Sequence, residues 1–427
     1  MVLKEATLAE ILIAAQEPEE LGIPEAIVED LLFRLLYDEG RVSLSRAGEV
    51  IRVHGRVLDR LLEFMQREHL IEVASAGQVG RMSYSFQLTD AGRSRAREAY
   101  ERSQYLGPAP VSIERYRLAV QLQSANRQKV KPDAVIGALK HLVLPEHFHR
   151  SIGPAINSGK SLFLYGPPGN GKTTVALAIG GLISGETPIW LPYAVTVGGQ
   201  IVTIYDPLIH EPFPVPDDKE AEFARVDKRW GLFRRPLVVT GGELTMESLD
   251  LRYDPIAKYY EAPLQMKANG GMLLIDDFGR QMVSPSELLN RWIVPLESEI
   301  DYLRLRTGQT MEIPFKQLLV FSTNLDPLDL VDDAFLRRIQ MKVGIFAPDE
   351  RMFFQLFQTM CQMLDLPFDR TTFVHLVQEW YRKTGRPMQA VHPRDLLNIV
   401  VAMCEYEDKP NQLTPELIDE ACRNYFV

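Results

Sequence analysis

Cysteine is nearly absent: Cys361, Cys404 and Cys422 are the only three, all toward the C-terminus and at no metal-ligand spacing. An odd, clustered set of this kind argues against a disulfide framework or a zinc site and fits small buried hydrophobes in a reducing compartment. Long apolar runs are missing too. None approaches the ~20 residues that a membrane-spanning helix needs, and the N-terminus has no charged-then-apolar signal pattern. Nor is there an excess of positive charge. Against 57 Asp and Glu stand 47 Lys and Arg, leaving a net charge of −10. That argues against a chain that coats nucleic acid by charge alone, while leaving room for a local basic patch. There are no internal repeats or low-complexity tracts. The expectation is a cytoplasmic protein with no membrane contact, and 427 residues are too many for a single compact core.

Residues 1–103 read as short helices followed by a small β element. Apolar residues recur at helical spacing over Pro24 to Tyr37 (Ile27, Leu31, Leu32, Leu35, Leu36) and over His54 to His69 (Val57, Leu58, Leu61, Leu62, Met65), with a shorter helix over Arg46 to Arg52 between them. Ile71 to Val73 and Met82 to Gln87 read as two strands around a glycine-containing turn, and Thr89 caps a basic helix through Arg97. Three helices and then two strands is the order of a winged helix-turn-helix. Residues 104–131 are read as a linker, marked by Gly107, Pro108 and Pro110 within Leu106 to Val111, and from Ser112 to about Asn157 the chain reads as mostly helical. From 132 to 348 short apolar runs alternate with helices, the pattern of a parallel α/β sheet. The strand candidates are Leu162–Tyr165, Leu237–Thr240, Met272–Ile275, Leu318–Ser322 and Lys342–Phe346. Residues 349–427 are helical again.

Gly166-Pro167-Pro168-Gly169-Asn170-Gly171-Lys172-Thr173, with Thr174 beside it, follows an apolar strand and opens a helix. This is G-x-x-x-x-G-K-[ST] in the context the motif requires. Glycines let backbone N–H groups converge on phosphate oxygens, and the helix N-terminus adds partial positive charge. Lys172 is expected at the β- and γ-phosphates of ATP, and Thr173 at Mg²⁺. Met272-Leu273-Leu274-Ile275 then runs into Asp276-Asp277. Strand C-termini gather at the ligand edge of a parallel sheet, so Asp276 is expected to hold Mg²⁺ and Asp277 to polarise the attacking water. The plainer alternative is that both acids cap the turn.

With these motifs in place, the chain from about Pro132 resembles the AAA+ ATPases. Leu319-Val320-Phe321-Ser322-Thr323-Asn324 resembles the family's sensor-1 strand, Ala334-Phe335-Leu336-Arg337-Arg338-Ile339 its arginine-finger helix, and His392-Pro393-Arg394-Asp395 its sensor-2 motif, all in the family's order. The resemblance implies a parallel five-stranded sheet with helices on both faces, a C-terminal helical lid, and ring assembly, six subunits being the usual number. It implies that Asn324 contacts the γ-phosphate or lytic water, that Arg337 or Arg338 acts in trans, and that Arg394 acts from its own subunit. A solvated helix end and a simple ion pair are the ordinary alternatives for these arginines. Ala268-Asn269-Gly270-Gly271 before the acidic strand, and a hairpin over Tyr302 to Pro314, are similar to the MoxR and magnesium-chelatase branch. That branch usually carries Asp-Glu where this chain has Asp276-Asp277, so water activation with the shorter side chain is the open point.

Between Gly185 and Arg235 lies more chain than the family usually shows, an insert of about 186–235. Two strand-like runs flank Gly198-Gly199, a hairpin signal, and Pro207, Pro212, Pro214 and Pro216 follow. It reads either as a partner-contacting arm or as surface decoration. Tyr253, Tyr259 and Tyr260 lie where such ATPases present aromatics to the ring centre, although tyrosines so spaced also serve packing. The leading functional expectation is an ATP-driven remodeller of a protein partner. The alternatives are a DNA-directed ATPase using residues 1–103, or a nucleotide-gated assembly switch that turns over slowly.

Overall fold

The computed structural model describes residues 7–75, 84–126, 129–140, 142–145, 148–185, 187–215, 223–326 and 337–426. Five of its strands form one parallel sheet with helices around it. They are numbered β1 (Ser161–Tyr165), β2 (Leu237–Thr240), β3 (Met272–Ile275), β4 (Leu318–Thr323) and β5 (Met341–Gly344), and they lie in the order β2-β3-β4-β1-β5. Leu319 pairs with Ser161 and Thr323 with Tyr165, while β5 flanks β1 with Met341 opposite Leu162. Every residue of β3 and β4 is buried. A strand covered on both faces is predominantly apolar, which is why Met272–Ile275 and Leu318–Phe321 read as unbroken runs; the buried Ser322 and Thr323 close β4 as polar residues. The fifth strand starts and ends earlier than expected, and Phe346 beyond it is 63% exposed. Among the described residues, no helix is long and apolar enough to cross a membrane.

The chain divides into two compact units. One comprises Met1–Lys129, Ile183–Leu273 and Leu288–Leu318; the other comprises Val130–Leu182, Leu274–Glu287 and Leu319–Val427.

The first unit has two cores. In the N-terminal one, helices Glu25–Glu39, Leu44–Ile51, Gly55–Arg67 and Asp90–Arg102 pack with a three-stranded antiparallel sheet, in which Ser85–Leu88 lies between Val42–Ser43 and Ile71–Ser75. The Val42–Ser43 strand is too short to register as a pattern. Met82 and the expected glycine turn lie outside the described residues. In the second core, the insert hairpin Ala194–Val197/Gln200–Thr203 turns through Gly198 (φ +55°) and Gly199 (φ +77°). It is the centre of a five-stranded sheet completed by Val111–Ser112, Tyr260–Glu261 and Arg252–Tyr253. Side chains alternate across this hairpin. Ala194 and Ile201 face the N-terminal core, whereas Val195, Val197 and Val202 face the second. With both faces buried, the hairpin is not a free arm. Within the stretch expected as a linker, the part expected to be helical forms helix Ile113–Ala125, whose Tyr116, Ala119 and Val120 are buried in the second core. The expected second hairpin, Ile300–Arg304/Thr310–Pro314, joins the same core through Leu303, Met311 and Ile313.

The three tyrosines pack. Tyr260 is buried, its hydroxyl accepts from the Arg306 N–H at 3.0 Å, and its ring lies 4.8 Å from that of Tyr253; Tyr259 meets Tyr105 edge-on at 5.5 Å.

In the second unit, helices Glu350–Met363, Arg370–Leu376, His392–Tyr406 and Pro415–Tyr425 surround Phe353, Phe357, Tyr381, Leu396, Val400 and Ile418. Asp349, Asp369 and Thr414 cap three of them by accepting from Met352 N, Thr372 N and Leu417 N. All three cysteines lie in this core. Burial pushes the Cys361 thiol up to about 11 and Cys422 to about 12, so both behave as packing groups.

The N-terminal core is fastened to the insert by a buried charge pair. Asp227 receives Arg229 Nε at 3.0 Å and Nη2 at 2.7 Å, and the guanidinium also donates to the carbonyls of Leu21 and Pro110. Asp227→Ala would leave that cation buried without its anion, at a cost of about 3–5 kcal/mol. The expected outcome is a large fall in the urea midpoint of the first unit, with a much smaller fall for the double substitution Asp227→Leu/Arg229→Met.

Candidate functional site

The phosphate-loop sequence forms a turn from the end of β1 into helix Lys172–Ser184. Three glycines are required by geometry, Gly171 among them with φ +88°. Gly166 has φ +133°, and a Cβ there would lie 2.2 Å from the Ile345 carbonyl oxygen; Gly169 has φ +74°. Lys172 is 6% exposed, and its Nζ donates to the carbonyls of Gly166 and Pro167, each at 2.9 Å. Burial holds the ammonium below its ordinary range, and the carboxylates of Asp277 and Asp276 pull it part of the way back. Thr173 and Thr174 follow in the first turn, both exposed.

Across from the loop, β3 delivers the two acids. The Thr173 hydroxyl donates to Asp276 Oδ1 at 3.1 Å, and the same oxygen accepts from the Asp277 N–H. A hydroxyl and a carboxylate this close are hard oxygen donors of the kind Mg²⁺ takes alongside phosphate and water. No cluster of three or more His, Cys, Asp or Glu suited to a metal occurs among the described residues. Thr173 and Asp276 thus supply two hard oxygen donors. Asp277 has φ +50°, and Asn324 Nδ2 donates to its Oδ1 at 3.0 Å.

Residues not anticipated from the sequence hold this turn. Gln281 Nε2 donates to the carbonyls of Asp276 and Asp277, and Gln281 Oε1 accepts from Gly279 N. The tip of β4 is sewn to the same turn, since Phe278 N donates to Ser322 O at 2.7 Å and the Thr323 hydroxyl donates to Phe278 O at 2.6 Å. Such side-chain-to-backbone stitches carry no spacing signature.

Lys172, Thr173, Asp276, Asp277 and Asn324 are thus joined by charge interactions and hydrogen bonds, whereas the three expected arginines are not drawn into that network. Arg337 is exposed and Arg338 half-buried just before β5, the Arg338 carbonyl accepting from Ser161 Oγ at 3.4 Å; residues 334–336 of the expected arginine-finger helix lie outside the described residues. Arg394 is exposed and donates to Asp395 at 2.9 Å, and Asp395 also accepts from the Tyr425 hydroxyl.

His392, beside Arg394, is a buried structural group. Its Nδ1 accepts from the Gln389 N–H and meets the Tyr381 hydroxyl at 2.8 Å. Burial, with nearby Arg386, lowers its pKa from 6.5 to about 4. The folded state therefore binds the proton less readily than the unfolded chain. The resulting stability is fully present above about pH 6.5 and is lost as the pH falls through about 4. Wild-type protein is expected to lose stability between those limits more steeply than His392→Gln, checked by urea titrations at several pH values.

Residues 349–424 match a family model described as a domain of unknown function (DUF8689). No curated protein matches the chain. Among solved structures, it is similar to NtrX from Brucella abortus in complex with ATP, at 13% identity over 66% of this chain and 59% of that one, with a TM-score of 0.41. It is also similar to a point variant of RuvB from Thermotoga maritima, at 14% identity over 67% of this chain and 71% of that one, TM-score 0.38. Domain III of the Thermotoga maritima replication initiation protein DnaA is similar at 12% identity over 70% of this chain and 99% of that one, TM-score 0.39. The chain thus spans less than two thirds of the NtrX structure it matches.

Proposed function

We propose that this chain is an AAA+ ATPase that binds ATP with Mg²⁺, hydrolyses it, and assembles through its nucleotide sites into a ring that remodels a protein partner. The observation that carries this reading is the network joining Lys172, Thr173, Asp276, Asp277 and Asn324 around one phosphate loop. In it, the loop's N–H groups and Lys172 bind the β- and γ-phosphates, and Thr173 and Asp276 hold the cation. Bound Mg²⁺ would neutralise charge on the phosphate oxygens. Asp277 accepts a proton from the attacking water through Oδ2, while Asn324 holds its Oδ1. The exposed Arg337, or Arg338 beside it, serves a neighbouring subunit's γ-phosphate, and Arg394 exchanges Asp395 for its own. The 349–427 helices act as the lid.

Residues 1–103 serve as a winged-helix module. The docking of a protein or a neighbouring subunit is favoured over DNA because its arginines are largely committed. Arg46 is held by Glu39 and Glu49, Arg60 by Glu17, Arg93 by Asp90, Arg95 by Glu98, and Arg102 by Asp30. Cations already paired release few counterions on meeting phosphate. Arg56 and Arg67 remain exposed on the third helix, so a DNA-directed ATPase is the second reading. ATPase rates measured alone, with duplex DNA, with single-stranded DNA and with cell lysate separate the two, since stimulation by DNA alone favours the second.

Lys172→Ala is expected to abolish nucleotide binding or turnover with the fold intact. Asp277→Asn is expected to keep ATP binding and lose at least about 100-fold in turnover, the scale of a general base. Turnover within a few-fold of wild type in Asp277→Asn would place the base elsewhere. Arg337→Ala or Arg338→Ala is expected to lose hydrolysis while keeping nucleotide affinity, and mixing that variant with Lys172→Ala should restore part of it. A protein that stays monomeric in ATP by light scattering and shows no restoration at any ratio would remove the interface model.

A further inference from the structure

Asn170 sits in the phosphate loop, yet its side chain serves a different element. It is 5% exposed. Its Nδ2 donates to the Pro167 carbonyl within the loop at 3.3 Å, and its Oδ1 accepts from the Ala390 N–H at 3.1 Å. One residue earlier, the Gly169 carbonyl accepts from the Val391 N–H at 2.9 Å. The side chains of the 389–391 segment also crowd the loop, since a Cβ on Gly169 would lie 2.7 Å from Gln389 Oε1 and 2.9 Å from Val391 Cγ1. On its far side the 389–391 segment is tied to the helical core, since His392 Nδ1 accepts from Gln389 N and meets the Tyr381 hydroxyl. The chain of contacts thus runs from the crown of the phosphate loop, through one asparagine amide, into the C-terminal helices.

We propose that Asn170 is a positioning residue that clasps the C-terminal helical domain to the phosphate loop, so that the conformation of the loop around phosphate and the placement of the 389–391 segment change together. This rests on the nucleotide-binding reading above. An amide presents a donor for Pro167 and an acceptor for Ala390 on two separate atoms at this reach; a hydroxyl carries both functions on one atom of a shorter side chain, and a carboxylate keeps the acceptor alone. A loop wrapped on phosphate is held by several N–H bonds at once. That fixes Gly169 O and Asn170 Oδ1 where the lid's two N–H groups meet them. Coupling of this kind is reciprocal. Nucleotide should protect the Ala390 and Val391 amides, and the clasp should tighten nucleotide by the same factor. One hydrogen bond of ordinary net strength changes an equilibrium roughly five-fold.

The test is amide hydrogen exchange on the full chain, with and without Mg²⁺–ADP, in wild type, Asn170→Ala, Asn170→Ser and Asn170→Asp. In Asn170→Ala and Asn170→Ser the Ala390 amide should exchange roughly five-fold faster, with the core amides of Phe357 and Cys404 unchanged and ADP bound more weakly by a similar factor. Asn170→Asp should keep the Ala390 protection even where its charge weakens ADP. Wild-type protection at Ala390 in both Asn170→Ala and Asn170→Ser, or equal loss in Asn170→Asp, would overturn the clasp. Should Asn170→Ala not fold, Asn170→Ser decides alone. If wild type binds no ADP, the nucleotide reading fails by itself, and exchange without nucleotide still decides whether Asn170 holds Ala390.

Discussion

The hydrogen bond from Thr173 to Asp276 joins residues 103 positions apart, and it exists because β1 and β3 end at the same edge of one parallel sheet. The rest of the site hangs on that edge. β5 lies so close beside the loop that position 166 has no room for a side chain against the Ile345 carbonyl. β4, next to β1, ends in Ser322, Thr323 and Asn324. The first two are stitched to the turn after β3 through Phe278, and the third reaches Asp277. Strand order therefore sets the distance between the phosphate loop and both carboxylates, and the stitches set the direction of the second. This is the reason ligands of open α/β sheets collect at strand carboxyl ends.

The first unit follows a different constraint. Its segments come from three separate stretches of the chain, and buried charges with full sets of partners hold them in register. Arg229 is saturated by Asp227 and two carbonyls. Lys267, 5% exposed, lies between Asp206 at 2.9 Å and Glu261 at 2.5 Å. His210 is buried beside it; Asp206 N donates to its Nδ1, so Nε2 carries the proton and meets the Lys267 carbonyl. Burial lowers the His210 pKa, which keeps that tautomer neutral. Groups of this kind add little net stability compared with apolar replacements, but breaking one leaves a charge with nowhere to go. They penalise misregistered packing of the insert, and through it of residues 1–103, against the second core.

What the sequence reveals and what it hides divide along the same line. The inner strands of the parallel sheet are legible because they are buried on both faces and so read as apolar runs, whereas the edge strand Met341–Gly344, with Lys342 in it and only Val343 buried, is displaced from its expected bounds. The phosphate loop and Asp276-Asp277 are legible because each is a chemical unit written in consecutive residues. The two-residue strands Val42–Ser43, Val111–Ser112 and Tyr260–Glu261 are invisible in sequence, since they are strands only through partners far along the chain. Tyr253 and Tyr260 look alike in sequence to surface aromatics, and only the approach of Arg306 shows them as packing. The link between Asn170 and Ala390 spans 220 positions and has no motif at all.

The Asp at 277 illustrates how backbone and chemistry are settled together. In the sequence it stands where the branch it resembles usually carries glutamate, with water activation by the shorter side chain left open. In the structure its backbone lies in the left-handed region, at φ +50°. That region costs most L-residues about 1–2 kcal/mol, and Asp and Asn enter it most readily because a short polar side chain can bond locally. Asp276 Oδ1 takes its N–H, Gln281 takes its carbonyl, and Asn324 takes one carboxylate oxygen. A glutamate would meet the same backbone demand with a longer, less locally bonding side chain and one more free torsion. The turn after β3 is thus held at the Asp277 N–H, at its carbonyl and at Oδ1 of its carboxylate.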